Sequence, residues 1–304
     1  MAPGDIYDVD DADRVHYVDT GMQDTTEYGS VYLLDAERPA VIDTGIGTGY
    51  ELILDALETV GVDPAELAYI LPTHIHLDHA GGAGYLLEEC PEATVLCHEI
   101  GVSHLVDPGR LIEGTKAAVE DQWEYYAEPK PIPEDRIDGL TGGDVVDLGD
   151  RSLTVHHAPG HAPHQVMYHD DADDVLFTGD AAGIYVPARD EILQTSPPSN
   201  FDLHQCLEDV RTIEDVAPAR LCFGHFGDRA FDTDLTGGYK RTLIEWVEAI
   251  RQKRAELDSD EAVIAHFIEH AEMNGPWDED LADAEIRLNV RGVLGYLDYR
   301  EREE

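Results

Sequence analysis

Lysine is nearly missing from this 304-residue chain, where Lys116, Lys130, Lys240 and Lys253 stand beside sixteen arginines. Against those 20 basic residues are 65 Asp and Glu, a formal net charge of −45. A surface so short of cations repels phosphate and anionic lipid head groups, which counts against nucleic-acid and membrane partners unless a local basic groove exists. The acids are spread along the whole length, and 42% hydrophobic content with 14 Tyr is enough for a sizeable core; a disordered acidic chain is excluded. Cysteine is scarce too. Cys90, Cys97, Cys206 and Cys222 show no Cys-x-x-Cys spacing, so they read as small buried residues of a reducing compartment and not as a disulfide frame or thiolate metal site. No window approaches the ~18 consecutive apolar residues of a membrane span, and Met-Ala-Pro-Gly-Asp lacks the basic and apolar regions of a signal peptide. A soluble, cytoplasmic protein is expected.

What is present organises into strands and helices. Arg14 to Asp19, Ser30 to Asp35 and Pro39 to Asp43 read as strands, and Tyr50 to Val60 as a helix stopped by Gly61. The apolar run Leu67 to Leu71 reads as a buried strand, followed by a helix over His79 to Glu89 and a strand over Thr94 to His98. The 99–133 segment is helical and broken by Pro and Gly. Strands resume at 144–148, 151–157, 165–169 and 175–178; 182–200 reads as a long loop, Phe201 to Ile213 as a helix and Arg220 to Phe223 as a strand. Two β-rich halves with helices outside make four layers. Beyond about residue 234 only helical patterns appear (235–257, 260–273 and 280–300), with Asn274-Gly275-Pro276 as the stop of the second. The expected division is a 1–234 catalytic domain with a 235–304 helical region packed on it.

Residues 73–82 read Thr-His-Ile-His-Leu-Asp-His-Ala-Gly-Gly. His74 and His76 lie two apart at a strand end, so both rings leave one face and can grip one ion. Asp78 and His79 sit at the turn into the next helix and add a carboxylate and an imidazole nearby. Both ligand types suit Zn²⁺ and other borderline first-row ions.

His74-x-His76-x-Asp78-His79 resembles the signature of the metallo-β-lactamase fold superfamily, and the resemblance spans roughly residues 14–228. It implies an α/β architecture, the four-layered αββα metallo-β-lactamase fold, with a C-terminal helical appendage. Val41-Ile42-Asp43-Thr44-Gly45 is similar to the family's first motif, with Asp43 orienting the ligands from behind. Ala158-Pro159-Gly160-His161, Phe177-Thr178-Gly179-Asp180 and Phe223-Gly224-His225-Phe226-Gly227 are similar to its later motifs. The resemblance implies one ion on His74, His76 and His161, a second on Asp78, His79 and His225, and Asp180 between them. The cofactors are then two Zn²⁺, with Fe²⁺ or Mn²⁺ as alternatives, and a bridging hydroxide as nucleophile. Asp78 and Asp180 are the expected catalytic carboxylates. Each of His161, Asp180 and His225 follows an apolar strand and a Gly, which places it at a strand end.

His157 resembles the first histidine of a His-Thr-Pro-Gly-His form of the third motif, which gives it a supporting role. Tyr185 is a candidate oxyanion donor. The other histidines, among them His98, His104 and His169, read as surface or core residues. Three chemistries compete, because fold alone does not name the substrate. Hydrolysis of a thioester, ester or lactone is expected first, since the motifs resemble glyoxalase II and lactonase-like members. A phosphodiesterase or nuclease of the ribonuclease Z type is the alternative, set back by Leu77 where Gly is usual and by the charge. A flavodiiron-type redox protein would carry Glu in place of His76 and a flavodoxin module. A secreted β-lactamase does not fit the amino terminus. The expected partner is a small acyl substrate, with the helical region either holding its thiol part or serving as a homodimer face.

Self-repulsion at −45 should weaken the compact state at ordinary ionic strength, since screening shortens from ~8 Å at 0.15 M to ~3 Å at 1 M salt. The composition therefore points to an extreme halophile. Thermal unfolding from 0.1 to 2 M KCl (about a twentyfold range across this screening regime) should show stability rising with salt; a steady fall would refute the halophilic reading.

Overall fold

The computed structural model describes residues 2–270 and 277–303. Successive side chains of a strand point to opposite faces, and in Ser30 to Leu34 both faces are apolar and buried. Val31 and Leu33 pack toward one layer, Tyr32 and Leu34 toward another. The same division recurs in the second half, where Val175 and Phe177 face inward and Leu176 outward. A strand buried on both sides needs a layer on each, and this pattern builds the sandwich.

The first sheet joins β1 (Ile6–Asp8), β2 (Val15–Asp19), β3 (Ser30–Leu34), β4 (Ala40–Ile42), β5 (Tyr69–Leu71), β6 (Thr94–His98) and β7 (Ile137–Leu140) in sequential order. Pairing is antiparallel up to β4 and parallel from β4 onward. The second sheet contains β8 (Val145–Asp147), β9 (Ser152–His157), β10 (Val166–Asp170), β11 (Val175–Gly179), β14 (Arg220–Phe223) and β15 (Asp228–Ala230), in that order. A separate hairpin is formed by β12 (Ile184–Val186) and β13 (Glu191–Leu193). Tyr32, Ile42, Leu71, Val155, Tyr168 and Phe177 fill the space between the sheets.

Helices α1 (Tyr50–Val60) and α3 (Ala83–Glu89) cover the first sheet. The short α2 (Leu77–Ala80) precedes α3, and α4 (Val102–Val106) and α5 (Gly109–Val119) follow β6. On the far side lies α6 (Leu203–Val216), capped by Asp202, whose carboxylate accepts from Gln205 N at 3.0 Å. The chain continues through α7 (Thr233–Glu256), α8 (Asp260–His270) and α9 (Glu279–Glu303). The four-layered αββα architecture is as expected.

Differences lie at the edges. β1, β7 and β15 close sheet margins and were not foreseen, because three or four residues with one or two apolar positions carry no periodicity of their own; pairing with a long neighbour makes them strands. The 182–200 stretch, read as loop, contains the β12–β13 hairpin. The expected 79–89 helix begins at Leu77 and divides around Gly81-Gly82. The expected end of the 260–273 helix and its Asn274-Gly275-Pro276 stop lie outside the described residues. Residues before and after 235 share one core: Met22, Tyr28, Ile46 and Phe201 pack with Leu243, Ile250, Ile286 and Val293.

Tyr32 ties the core between the sheets to the strand ends. Its buried hydroxyl reaches the carbonyls of Phe223 and Gly227, at 2.7 and 2.6 Å, on both sides of the turn bearing His225. Tyr32→Phe leaves those carbonyls without that donor and should lower stability by about 1–3 kcal/mol, read as the urea midpoint in molar KCl.

Candidate metal centre

Five strand ends deliver the residues of the site. β4 runs into Asp43, β5 into His74 and His76, β9 into the loop bearing His161, β11 into Asp180, and β14 into His225. Asp78 and His79 belong to α2, directly after the β5 loop. All seven residues expected to ligate metal come together, with Asp43 behind them.

Among the described residues, three groups offer ligand atoms lying within 4.8 Å of one another: His74, His76 and His161; His74, His79 and Asp180; and Asp78, His79 and His225. Asp180 spans them. Its Oδ2 is 3.3 Å from His161 Nε2, and its Oδ1 is 3.4 Å from His79 Nε2 and 3.6 Å from His225 Nε2. Asp78 Oδ2 is 3.5 Å from Nε2 of both His79 and His225.

The outward nitrogens decide which inward ones carry lone pairs. Thr73 Oγ donates its hydrogen to Asp43 at 2.9 Å, so toward His74 Nδ1, 3.2 Å away, it must accept. His79 Nδ1 donates to Asp43 Oδ2 at 2.8 Å, and His225 Nδ1 to the Tyr28 carbonyl at 2.8 Å. His161 Nδ1 lies 3.4 Å from Thr195 Oγ. His74, His79 and His225 therefore keep Nδ1–H outside and turn a bare Nε2 inward, the tautomer a metal needs, and His161 points its Nε2 inward in the same way. His76 is reversed: its Nδ1 faces Nε2 of both His74 and His161 at 3.0 Å. A proton on that nitrogen serves only one of two neighbours, whereas a tetrahedral ion with ~2.0–2.1 Å bonds takes all three, at ligand separations of about 3.3 Å.

Three further observations fit a cation. His79 Nε2 and Asp180 Oδ1 are buried without a hydrogen-bond partner, a costly condition for polar atoms. Burial lowers the His79 imidazole, yet Asp43, Asp180 and Asp78 outweigh it and hold the group well above its ordinary range; the carboxylates demand a positive charge there. Burial also lowers His74 and His161, reinforced by the neighbouring imidazoles, so those rings stay neutral and able to ligate. Gly224 leaves the room this requires, since a Cβ there would stand 2.6 Å from His79 Cε1. Asp43 itself adopts φ 62°, a left-handed conformation that Asp tolerates better than most residues, and accepts from Thr73 N at 2.7 Å.

Two expected residues are placed elsewhere. Tyr185 is not an oxyanion donor: its hydroxyl is bonded to Asp190 at 3.1 Å and its ring stacks on Phe223, while only its backbone N–H touches the site region, at the His225 carbonyl. His157 faces neither the ligand groups nor the cavity. It donates to the Pro163 carbonyl at 2.9 Å and stacks on His98, bracing the loop of His161. Residues not foreseen take up supporting positions. Thr73, Thr195 and Tyr28 hold ring nitrogens, and Asp209 accepts from Gly160 N at 2.7 Å, its carboxyl pushed up to about 7 by burial. A hydroxyl directly before His74 was a readable signal for Thr73; nothing local marks the others.

Above the ligands lies a cavity of about 580 Å³. His76, Asp78, His161, Asp180 and His225 form its floor, with Leu111 and Ala118 of α5 and Leu281 and Leu288 of α9 among its walls. Arg110 and Arg291 border it; Arg291 is paired with Glu120 at 2.8 Å.

Comparison with known proteins agrees with this geometry. Residues 24–225 match the model of the metallo-beta-lactamase superfamily. A metallo-beta-lactamase fold-containing protein of Sulfurisphaera tokodaii is 28% identical over 220 residues, 70% of this chain and 78% of its own. An acyl-coenzyme A thioesterase of Gallus gallus is 31% identical over 211 residues, 63% of this chain and 69% of its own. A diflavin flavoprotein of Synechocystis is 28% identical over 177 residues, 58% of this chain and only 26% of its own. The crystal structure of an archaeal superfamily protein from Sulfolobus tokodaii superposes with TM-score 0.68 at 24% identity, over 93% of this chain and 99% of that one, a likeness of fold.

If Asp43 orients the ligands, Asp43→Ala should weaken metal binding by about 10–100-fold in a chelator competition; unchanged affinity would remove it from that role.

Proposed function

The chain belongs to the metallo-beta-lactamase superfamily, whose members are generally hydrolases, and we propose that it is a dinuclear metal-dependent hydrolase of a thioester, ester or lactone. The observation that carries this reading is the shape of the space above the ligands. Apolar side chains of α5 and α9 enclose a cavity over the metal-binding groups, which suits an acyl group better than a polyanionic backbone. An open groove for phosphates would be lined by free arginines, whereas here Arg110 and Arg291 border the cavity with Arg291 paired to Glu120, Arg189 is paired with Glu191, Arg287 is turned to Glu120, and Arg241 lines a different depression. The similarity to an acyl-coenzyme A thioesterase points the same way.

In this reading His74, His76 and His161 would hold one ion and Asp78, His79 and His225 the other, with Asp180 available to both. Such ions, when bound, acidify coordinated water and polarise the substrate oxygen. The chain's own residues do the rest. Asp78, the most open of the carboxylates with its side chain 27% exposed, faces the cavity and can take up a proton at its free oxygen. Asp43, Thr73, Thr195 and the Tyr28 carbonyl keep the imidazoles in the required tautomers. α5 and α9 exclude water from the acyl side. Zinc is the default ion for this nitrogen and carboxylate set, with Fe²⁺ or Mn²⁺ as alternatives. Four buried, unpaired thiols suit a reducing cytoplasm, and among the described residues no helix is long and apolar enough to cross a membrane.

At molar KCl, S-lactoyl thiols, acyl thioesters and lactones should be turned over while bis-p-nitrophenyl phosphate and RNA are not; the opposite pattern would move the protein to the phosphodiesterases. His76→Ala and Asp180→Ala should each abolish turnover and lower bound metal, and full activity in either would refute the site.

A further inference from the structure

Helix α9 approaches two of the site's histidines, His161 and His225, by two routes of bonded contacts. The first begins at Asn289, which is 1% exposed. Its side-chain oxygen accepts from Ser196 N–H, and its backbone carbonyl accepts from Ser196 Oγ at 3.0 Å. Trp246 Nε1 of α7 donates to the same hydroxyl at 3.2 Å. The preceding residue, Thr195, places its hydroxyl beside His161 Nδ1. One turn further along α9, Gly292 lets the helix backbone lie directly on this loop, because any Cβ there would collide with the Ser196 carbonyl.

The second chain begins one turn before Asn289, on the same helix face. Glu285 Oε1 accepts from Tyr28 OH at 2.6 Å, and the Tyr28 carbonyl accepts from His225 Nδ1 at 2.8 Å. The Tyr28 ring is gripped between His225 and Trp277, with centroids 5.3 and 5.2 Å away. The two chains meet inside α9, where Asn289 Nδ2 donates to the Glu285 carbonyl at 2.8 Å and approaches its Oε2 at 3.4 Å.

We propose that Glu285 and Asn289 are positioning residues of the metal centre, Asn289 setting His161 through Ser196 and Thr195, and Glu285 setting His225 through Tyr28. This rests on the reading that these histidines hold metal and is independent of the substrate class. The physical basis is that a ligand imidazole binds well only when its outer N–H is fixed. Here the fixing groups, Thr195 and the Tyr28 backbone, lie outside regular strands and helices, and α9 holds the neighbouring Ser196 and the Tyr28 hydroxyl. The C-terminal helix thus has a role beyond covering the cavity, and each ion has its own control.

The test is a Co²⁺ titration of the full-length chain in molar KCl, followed by absorption and calorimetry. His161→Ala and His225→Ala identify the two binding steps by deleting one each. Asn289→Ala should then weaken the His161 step by about 10–100-fold and leave the other within about twofold, and Glu285→Ala should do the reverse. If Asn289→Ala does not fold, Thr195→Val breaks the same chain at its far end and should weaken the same step. Equal weakening of both steps by each variant, or no weakening by either, overturns the proposal. If the wild type binds no Co²⁺, the metal reading falls with it; two wild-type steps that the α9 variants fail to separate overturn this inference alone.

Discussion

Negative charge concentrated against buried imidazoles is the constraint on which this structure depends. Asp43, Asp78 and Asp180 converge on the buried imidazole of His79, and His225 stands across from it. In a medium of low dielectric such an arrangement is tolerable only if positive charge joins it. The carboxylates raise both His79 and His225 above the ordinary imidazole range, each against the opposing effect of its own burial, which shows how strongly the site favours positive charge. Divalent ions supply it, and the bare inward nitrogens are arranged to accept them.

Everything around the centre serves to keep those nitrogens where they are. Each outward Nδ1 is held by a different part of the chain: Thr73 just past β5, Asp43 at the end of β4, Thr195 in the segment after the β12–β13 hairpin, and Tyr28 in the loop before β3. Because the anchors come from separate elements, no single loop movement releases the set. The two sheets bring the strand ends to one edge, and clamps such as Tyr32 hold the turn that follows β14. Ligand geometry here is a property of the whole sandwich, not of the His-x-His-x-Asp-His segment.

The −45 charge and the metal centre are separate uses of the same residue types. Most acids lie on the outside, where they meet water and salt; Asp43, Asp78 and Asp180 are instead drawn in against the site's imidazoles. The same separation holds for the arginines. Arg151 is buried against Asp170, and Arg229 is drawn to Asp190 and Asp232, so little of the scarce positive charge is left to line a groove. The helices after residue 232 add their apolar faces to a core shared with Met22, Tyr28 and Phe201, and in doing so they turn an open sheet edge into an enclosed cavity.

The sequence by itself determined the alternation that makes two sheets, the cluster His74 to His79, and the strand-end places of His161, Asp180 and His225, because each of these is written in adjacent residues: period-two burial, ligands two apart, an acid or imidazole directly after a strand and a Gly. Asp43 behind them was implied by the resemblance of its motif to the superfamily's. Only the tertiary structure decided which nitrogen of each ring faces inward, that the Tyr185 hydroxyl turns to Asp190, and that His157 braces a loop. It alone joined Tyr28 to Glu285 across 257 positions and Ser196 to Asn289 across 93. The physical reason is the same in every case. A hydrogen bond between residues far apart in the chain leaves no spacing or periodicity in either segment, so it exists for the reader only after the strands and helices have been packed.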